Sequence, residues 1–178
     1  KDDVCFLNTS DGVLLAACSN GLYRYNEQDS LFIPFLLDEE KPHVRYLAED
    51  GDKTLWIDTN KGLMRYSLEK KQFVSLPTLI QPFTQQCNNA VLISSNQLLF
   101  NTNNDFFVYH IQSNTLCNLS KDLEVKDFRC AATDHTGNIW HLCLQRTLPT
   151  DFTLRTIGTG FKCAERFSHL QPLSGQGS

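Results

Sequence analysis

Short apolar segments alternate with polar turns along most of this chain, and one stretch shows the pattern clearly. It contains four segments rich in apolar and β-branched residues, at 44–48, 54–59, 63–68 and 72–76. Asp50 and Gly51 form a hairpin signal between the first two segments, and Gly62 suits the positive φ of a tight turn. Four short strands joined by tight turns predict an antiparallel meander.

This stretch is one copy of a repeat. Gly21, Gly62 and Asp105 begin equivalent segments and lie 41 and 43 residues apart. Pairs of apolar residues keep the same spacing of 41, 43 and 41, at 14–15, 55–56, 98–99 and 139–140. A period of about 40–45 residues is typical of a four-stranded propeller blade. We therefore predict an all-β fold, a β-propeller built from four-stranded antiparallel blades.

The repeat divides the chain into blades and a tail. Within a propeller region of 1–144, the predicted blades cover about residues 3–36, 44–77, 88–119 and 127–144. The tail, 145–178, loses the repeat and is either irregular or completes the last blade. Closed propellers have about 4–8 blades, so we expect an incomplete arc of about 3.5 to 4 blades from a larger propeller. Its open edges would be covered by the tail, by further blades or by another copy of the chain.

Aromatic residues recur at fixed positions of the repeat. Trp56 and Trp140 lie in the middle of equivalent strands, and Tyr25, Tyr66 and Tyr109 form a second series. Regular aromatic positions in propellers are normally found between blades. We therefore interpret both series as packing residues, in preference to a platform for a ligand.

Seven cysteines occur without a Cys-x-x-Cys pair. Cys5 and Cys18 lie 13 residues apart, as do Cys130 and Cys143 in a later repeat. The favoured interpretation is that they are small buried hydrophobic residues. The alternative is a cross-strand disulfide in each pair, which would indicate an oxidising compartment.

Charge and hydropathy exclude two classes of partner. The net charge of -4 over 178 residues gives no basic surface for direct nucleic-acid binding. No apolar run approaches the roughly 20 residues that span a bilayer, so we expect no membrane segment in this chain. The five histidines lack metal-ligand spacing, and no nucleophile–base set or phosphate-binding loop is visible. We therefore expect no metal, no cofactor and no catalysis by the chain itself.

Polar residues at one end of the predicted blades are the candidate ligand-binding residues. Arg45 and Arg129 occupy matching positions at the start of innermost strands. A guanidinium there can present five donors to carboxylates or sugar hydroxyls. His43, Asn88 and Asn103 lie in the loops of the same predicted face. The alternative is that each arginine bonds loop carbonyls or an acid of a neighbouring blade.

The repeat motifs resemble those of a known family. The segment 49–59, which contains Leu-Trp-Ile, and the Gly-Leu-Met-Arg-Tyr at 62–66 are similar to the two-component regulator propeller repeat. The resemblance covers about residues 3–143. Asp58 stands where the family has glycine, and Leu99 stands where it has tryptophan.

This resemblance implies a function. Such repeats form the periplasmic input region of hybrid two-component histidine kinases, which sense oligosaccharides released from glycans. It implies a periplasmic sensor segment that binds an oligosaccharide or other small ligand, with any kinase outside this chain. Two alternatives stay open: a propeller scaffold that docks a protein partner, and a propeller glycan lyase or hydrolase.

Overall fold

The structure is a computed structural model of the 178-residue chain. It describes residues 4–35, 42–85, 87–103 and 105–120, together with the backbone of three later strands, Phe128–Thr133, Ile139–Leu144 and Phe152–Thr156. In this part of the chain the structure is almost entirely β, with one helical turn, α1 (Gln81–Thr84). No helix among these residues is long or apolar enough to cross a membrane.

The strands form four antiparallel sheets, each a meander in chain order. The first sheet contains β1 (Cys5–Asn8), β2 (Leu14–Cys18), β3 (Gly21–Asn26) and β4 (Leu31–Pro34). The second contains β5 (Val44–Glu49), β6 (Thr54–Thr59), β7 (Gly62–Ser67) and β8 (Gln72–Val74). The third contains β9 (Asn89–Ser94), β10 (Gln97–Asn101), β11 (Phe106–His110) and β12 (Thr115–Asn118). The fourth contains β13 (Phe128–Thr133), β14 (Ile139–Leu144) and β15 (Phe152–Thr156).

The all-β prediction and the four-stranded meander are therefore confirmed. The sequence left open whether a third strand follows Ile139–Leu144, where the repeat motif is lost. A strand is present: β15 pairs antiparallel with β14, with Leu142 opposite Leu154. It begins beyond Pro149, a residue that cannot donate a backbone hydrogen bond to a sheet.

The sheets follow one another as neighbouring blades. The innermost strands contact each other in the order β1, β5, β9 and β13. Among the described strands, β1 and β13 do not pack together as these adjacent pairs do. The four sheets thus form an arc, and membership of a larger ring stays a prediction.

Apolar side chains from facing sheets fill the spaces between blades. Leu15 and Leu22 of the first sheet pack with Leu47 and Ile57 of the second. Between the second and third sheets lies a cluster with Trp56, Leu63, Ile80, Cys87, Leu98, Phe100, Phe107 and Tyr109. Burial of apolar area between sheets is the main favourable term that holds such blades together.

The predicted packing of the aromatic series between blades is confirmed for Trp56, Tyr66 and Tyr109, whereas Tyr25 packs within its own sheet. Trp56 is fully buried, and its ring centroid lies 6.2 Å from that of Tyr109 on the next sheet. Tyr66 lies in the cluster between the first two sheets. Tyr25 is half-buried and packs on Phe32, with ring centroids 5.2 Å apart. The side chain of Trp140 lies outside the described residues.

Glycine is required at the turn between β6 and β7. Gly62 has a φ of 117°, and its counterpart Gly21 has a φ of 134°. A Cβ on Gly62 would also come within 2.9 Å of the carbonyl oxygen of Thr84. The turn therefore excludes a side chain both by its own conformation and by the close approach of the next connection.

The cysteines give a mixed outcome. Cys5 and Cys18 are free, so the alternative of a disulfide between them is wrong, because the register places Cys5 opposite Ala17 and Cys18 opposite Gly21. Cys117 is in a disulfide that the sequence did not predict, and its partner's side chain lies outside the described residues. The side chains of Cys130 and Cys143 also lie outside them.

Candidate ligand-binding site at the start of the innermost strands

Arg45 and Arg129 are both the extra residue of a β-bulge. In the pairing of β5 with β6, Val44 lies opposite Thr59 and Tyr46 opposite Asp58, so Arg45 has no partner. In the pairing of β13 with β14, the register shifts in the same way around residue 129. A bulge bends its strand and changes the direction of the extra residue. The two arginines therefore share the same backbone environment. The sequence showed only that their positions match in the repeat.

Asn88 occupies the same repeat position in the blade between them. It follows Arg45 by 43 residues and precedes Arg129 by 41. It lies directly before β9, and its backbone N–H donates to the carbonyl of Asn101 at 2.9 Å. Three neighbouring blades thus carry Arg, Asn and Arg at the start of the innermost strand.

Arg45 ties the second sheet to the connection that leads into the third. Its Nη2 donates to Oδ1 of Asp58 at 2.6 Å, to the carbonyl of Thr59 at 2.7 Å and to the carbonyl of Cys87 at 3.1 Å. The structure therefore shows the bond to a loop carbonyl that the alternative interpretation expected, but the acid belongs to the same blade and not to a neighbouring one. Its side chain is still 28% exposed, and Nη1 has no hydrogen-bond partner among the described residues.

Asp58 lies behind the guanidinium, almost completely buried. Its Oδ2 accepts a hydrogen bond from the backbone N–H of Ala90 at 3.4 Å, so the carboxylate links two neighbouring innermost strands. Burial raises the pKa of Asp58, and the ion pair with Arg45 opposes that rise without cancelling it. The sequence showed that Asp58 stands where the family has glycine, but it did not indicate that Asp58 would pair with Arg45.

The other predicted site residues lie at the same end of the strands and are exposed. The backbone N–H of His43 donates to Oδ1 of Asn60 at 3.0 Å, which holds the two residues of one blade together. The side-chain amide of Asn88 donates to Oδ1 of Asn103 at 2.9 Å in the same blade. Asn60 and Asn103 are themselves equivalent repeat positions, 43 residues apart.

The structure therefore brings His43, Arg45, Asn88 and Asn103 to one end of adjacent blades. It places the backbone of Arg129 at the equivalent bulge, and the side chain lies outside the described residues. Exposed amides, an imidazole and a partly free guanidinium are suited to hydroxyl-rich or carboxylate ligands. No cluster of three metal-ligating side chains occurs among the residues whose side chains are described.

Tyr46 is a titratable residue near this end of the strands, and its surroundings show whether it could act as a base. Its hydroxyl accepts a hydrogen bond from the backbone N–H of Leu92 at 3.3 Å. Burial raises its pKa above the usual range. The phenol therefore serves as a contact between the second and third sheets, and it is poorly suited to take up a proton from a substrate.

Comparison with solved structures identifies the fold. The chain is similar to the extracellular domain of the hybrid two-component system BT4673 from B. thetaiotaomicron, with a TM-score of 0.66 and 16% identity over 86% of this chain. The extracellular domain of the hybrid two-component system BT3049 from the same organism gives 0.60 and 20% identity over 85% of this chain. The predicted likeness to the sensor regions of such systems is confirmed at the level of the fold.

The chain spans 20% and 23% of the lengths of those two proteins. It is also similar to virginiamycin B lyase from Staphylococcus aureus, with a TM-score of 0.51 and 14% identity, covering 85% of this chain and 54% of that one. No family model and no curated protein matches the sequence. These likenesses establish a propeller-type fold.

Proposed function

We propose that this chain is a ligand-sensing input segment of a two-component signal-transduction receptor and responds to glycan-derived oligosaccharides. The observation that carries the proposal is the Arg45, Asn88 and Arg129 series, one polar residue at the same strand end of three adjacent blades. The likeness to extracellular domains of hybrid two-component systems supports the sensing role.

The charge of the site favours acidic oligosaccharides over neutral ones. Asp58 compensates the charge of Arg45, but Nη1 has no partner among the described residues and stays available to a ligand oxygen. Arg129 adds a second cation whose position on the backbone is equivalent. Uronic-acid carboxylates match the planar fork of arginine, and sugar hydroxyls match the amides of Asn88 and Asn103.

A periplasmic location belongs to the same proposal. Two of the solved structures that resemble the chain are extracellular domains. The disulfide at Cys117 supports an oxidising compartment, because such bonds are rare in reducing ones. Any kinase of the receptor would lie outside this chain, and we propose no catalytic activity for the chain itself.

Isothermal titration calorimetry of the full chain against uronic-acid and neutral oligosaccharides tests the proposal. We expect binding of an acidic oligosaccharide that Arg129→Gln weakens about tenfold, since a charge-assisted hydrogen bond is lost. Lys70→Gln removes an exposed cation from the opposite end of the blades and is the matched control. No heat with any acidic or neutral oligosaccharide would eliminate the carbohydrate ligand.

A second candidate function, docking of a further blade, rests on the outer face of the first sheet. Phe6 is 60% exposed and Phe32 is 41% exposed, and their ring centroids lie 6.1 Å apart. The equivalent face of the second sheet, which includes Leu47 and Tyr66, is buried against the first. We therefore propose that a further blade, from this protein or another copy, covers Phe6 and Phe32.

Sedimentation of the chain at increasing concentration distinguishes these occupants. Self-association that Phe6→Ser abolishes would favour another copy of the chain. A monomer at every concentration would leave a further blade of the same protein as the occupant. A monomer whose Phe6 and Phe32 are also covered by 145–178 in an experimental structure would contradict this docking role.

A further inference from the structure

A cavity of about 330 Å³ lies between the first and second sheets. Leu15, Phe35 and Tyr66 form its apolar walls, and Arg24 and Lys71 contribute two cations. The cavity also reaches the turns that follow β1 and β7, so it lies at the end of the strands opposite Arg45. It is therefore separate from the oligosaccharide site proposed above.

The corresponding space between the second and third sheets is filled by Trp56, which follows Leu15 by 41 residues. The guanidinium carbon of Arg65 lies 4.7 Å from the centroid of the indole ring. Tyr109 packs on the indole from the third sheet, and the indole Nε1–H donates to Oδ2 of Asp50 at 2.8 Å. An aromatic ring is thus held there between an arginine and a tyrosine.

The first interface keeps these two flanking groups but lacks the tryptophan between them, and Phe35 packs edge-on against Tyr66 with ring centroids 5.9 Å apart, where the second interface has Leu76. Arg24 is the repeat counterpart of Arg65, and Tyr66 is the counterpart of Tyr109. Both line the cavity, whereas Leu15 is too small to occupy the place of an indole. The cavity therefore lies where the tryptophan of the repeat becomes leucine while the flanking arginine and tyrosine are retained.

Polar groups at the cavity also lack the partners that their counterparts have. The hydroxyl of Tyr109 donates to Oδ1 of Asn114 at 2.9 Å. Lys71 stands at the position of Asn114, and the hydroxyl of Tyr66 has no partner among the described residues. Asp11 at the cavity is already paired with Lys53 at 2.8 Å. Neither Lys71 nor Arg24 has a side-chain hydrogen-bond or ion-pair partner in the described part of the chain.

We propose that this cavity binds a small planar aromatic carboxylate. The ring takes the place of the missing indole between Arg24 and Tyr66, where cation–π attraction and apolar burial favour it. The carboxylate accepts hydrogen bonds from Lys71 and from the hydroxyl of Tyr66. The size is sufficient, because an apolar cavity of about 150 Å³ already accommodates benzene. This function is additional to the sensing of oligosaccharides.

Calorimetric titration of the full chain with indole-3-acetate tests this site. We expect one ligand per chain with a dissociation constant of about 1 mM or tighter, and much weaker binding of uncharged indole. Leu15→Trp places the ring of the repeat in the cavity and should abolish binding. Thermal unfolding of that variant checks that it is folded.

Two surface variants keep the test decisive if Leu15→Trp fails to fold. Arg24→Gln should weaken binding about two- to fivefold through loss of the cation–π contact. Lys71→Gln should weaken indole-3-acetate more than indole, and Lys70→Gln, a neighbouring cation outside the cavity, should change neither. Binding that is absent, or that Arg24→Gln and Lys71→Gln leave unchanged, would overturn the proposal.

Discussion

Arg45 of the second sheet and Asp58 of the neighbouring strand form an ion pair at 2.6 Å, and Arg45 extends it to the carbonyl of Cys87 before the third sheet. The pair therefore has two roles in this account. It holds adjacent blades together, and it fixes the direction in which a candidate ligand-binding guanidinium points. Substitutions here should affect stability as well as recognition.

We predict that Arg45→Met destabilises the chain by about 2–3 kcal/mol, because it leaves the buried carboxylate of Asp58 without its main partner. Arg24→Met is the matched control, since the side chain of Arg24 is exposed and has no ion-pair partner among the described residues. Urea unfolding followed by circular dichroism measures both. Equal stability of the two variants would contradict a structural role for the ion pair.

The raised pKa of Asp58 predicts a pH dependence of stability. The folded state holds this proton more tightly than the unfolded state, so the contribution of protonated Asp58 is fully present below the ordinary aspartate pKa of 3.8. That contribution is lost as pH rises through the folded pKa. We therefore expect Asp58→Asn to flatten the dependence of unfolding free energy on pH from about 4 upward. Parallel curves for wild type and variant would contradict this assignment.

Gly62 is predicted to tolerate no side chain. Gly62→Ala should destabilise the chain by about 2 kcal/mol or more, since it adds strain at a φ of 117° to a clash with Thr84. Gly12→Ala is the control, because Gly12 also has a positive φ but its Cβ would meet open space. We expect that control to cost about 1 kcal/mol. Thermal unfolding of the pair should show the larger loss for Gly62→Ala.

Trp56→Leu gives the second interface the leucine that Leu15 provides at the first. Loss of the ring and of the hydrogen bond to Asp50 predicts a destabilisation of about 2–4 kcal/mol. Trp56→Phe keeps a ring and should recover part of that loss. Chemical denaturation of the three proteins gives the order, and a Trp56→Leu protein as stable as wild type would contradict the packing role.

Much of the fold could be predicted from the sequence, because the same strand and turn motifs occur in several copies of the repeat. The turn at Gly62 and the strand around Trp56 appear with matching residues in other blades, so each supports the others. β15 was left open, because Pro149 and the missing glycine motif remove the local signals on which the other strands rest. β15 forms by pairing with β14, and the local sequence pattern does not indicate this pairing.

The candidate site was predictable only in part. The matching positions of Arg45 and Arg129 were visible, whereas the bulge that both share depends on register between strands. Asp58 and the carbonyl of Cys87 were missed as partners of Arg45, because they come from another strand and another blade. The cavity beside Leu15 was also missed, although the absence of tryptophan in the first blade was visible in the sequence.

The central claim is that ligand is recognised at the strand ends that carry Arg45, Asn88 and Arg129. Amide chemical-shift mapping of the full chain, titrated with the tightest uronic-acid oligosaccharide of the calorimetric panel, tests it most directly. The account predicts the largest shifts at His43, Asn88 and residue 129, with little change at Gly12. Shifts confined to the opposite end of the blades, or none at saturating ligand, would contradict the account.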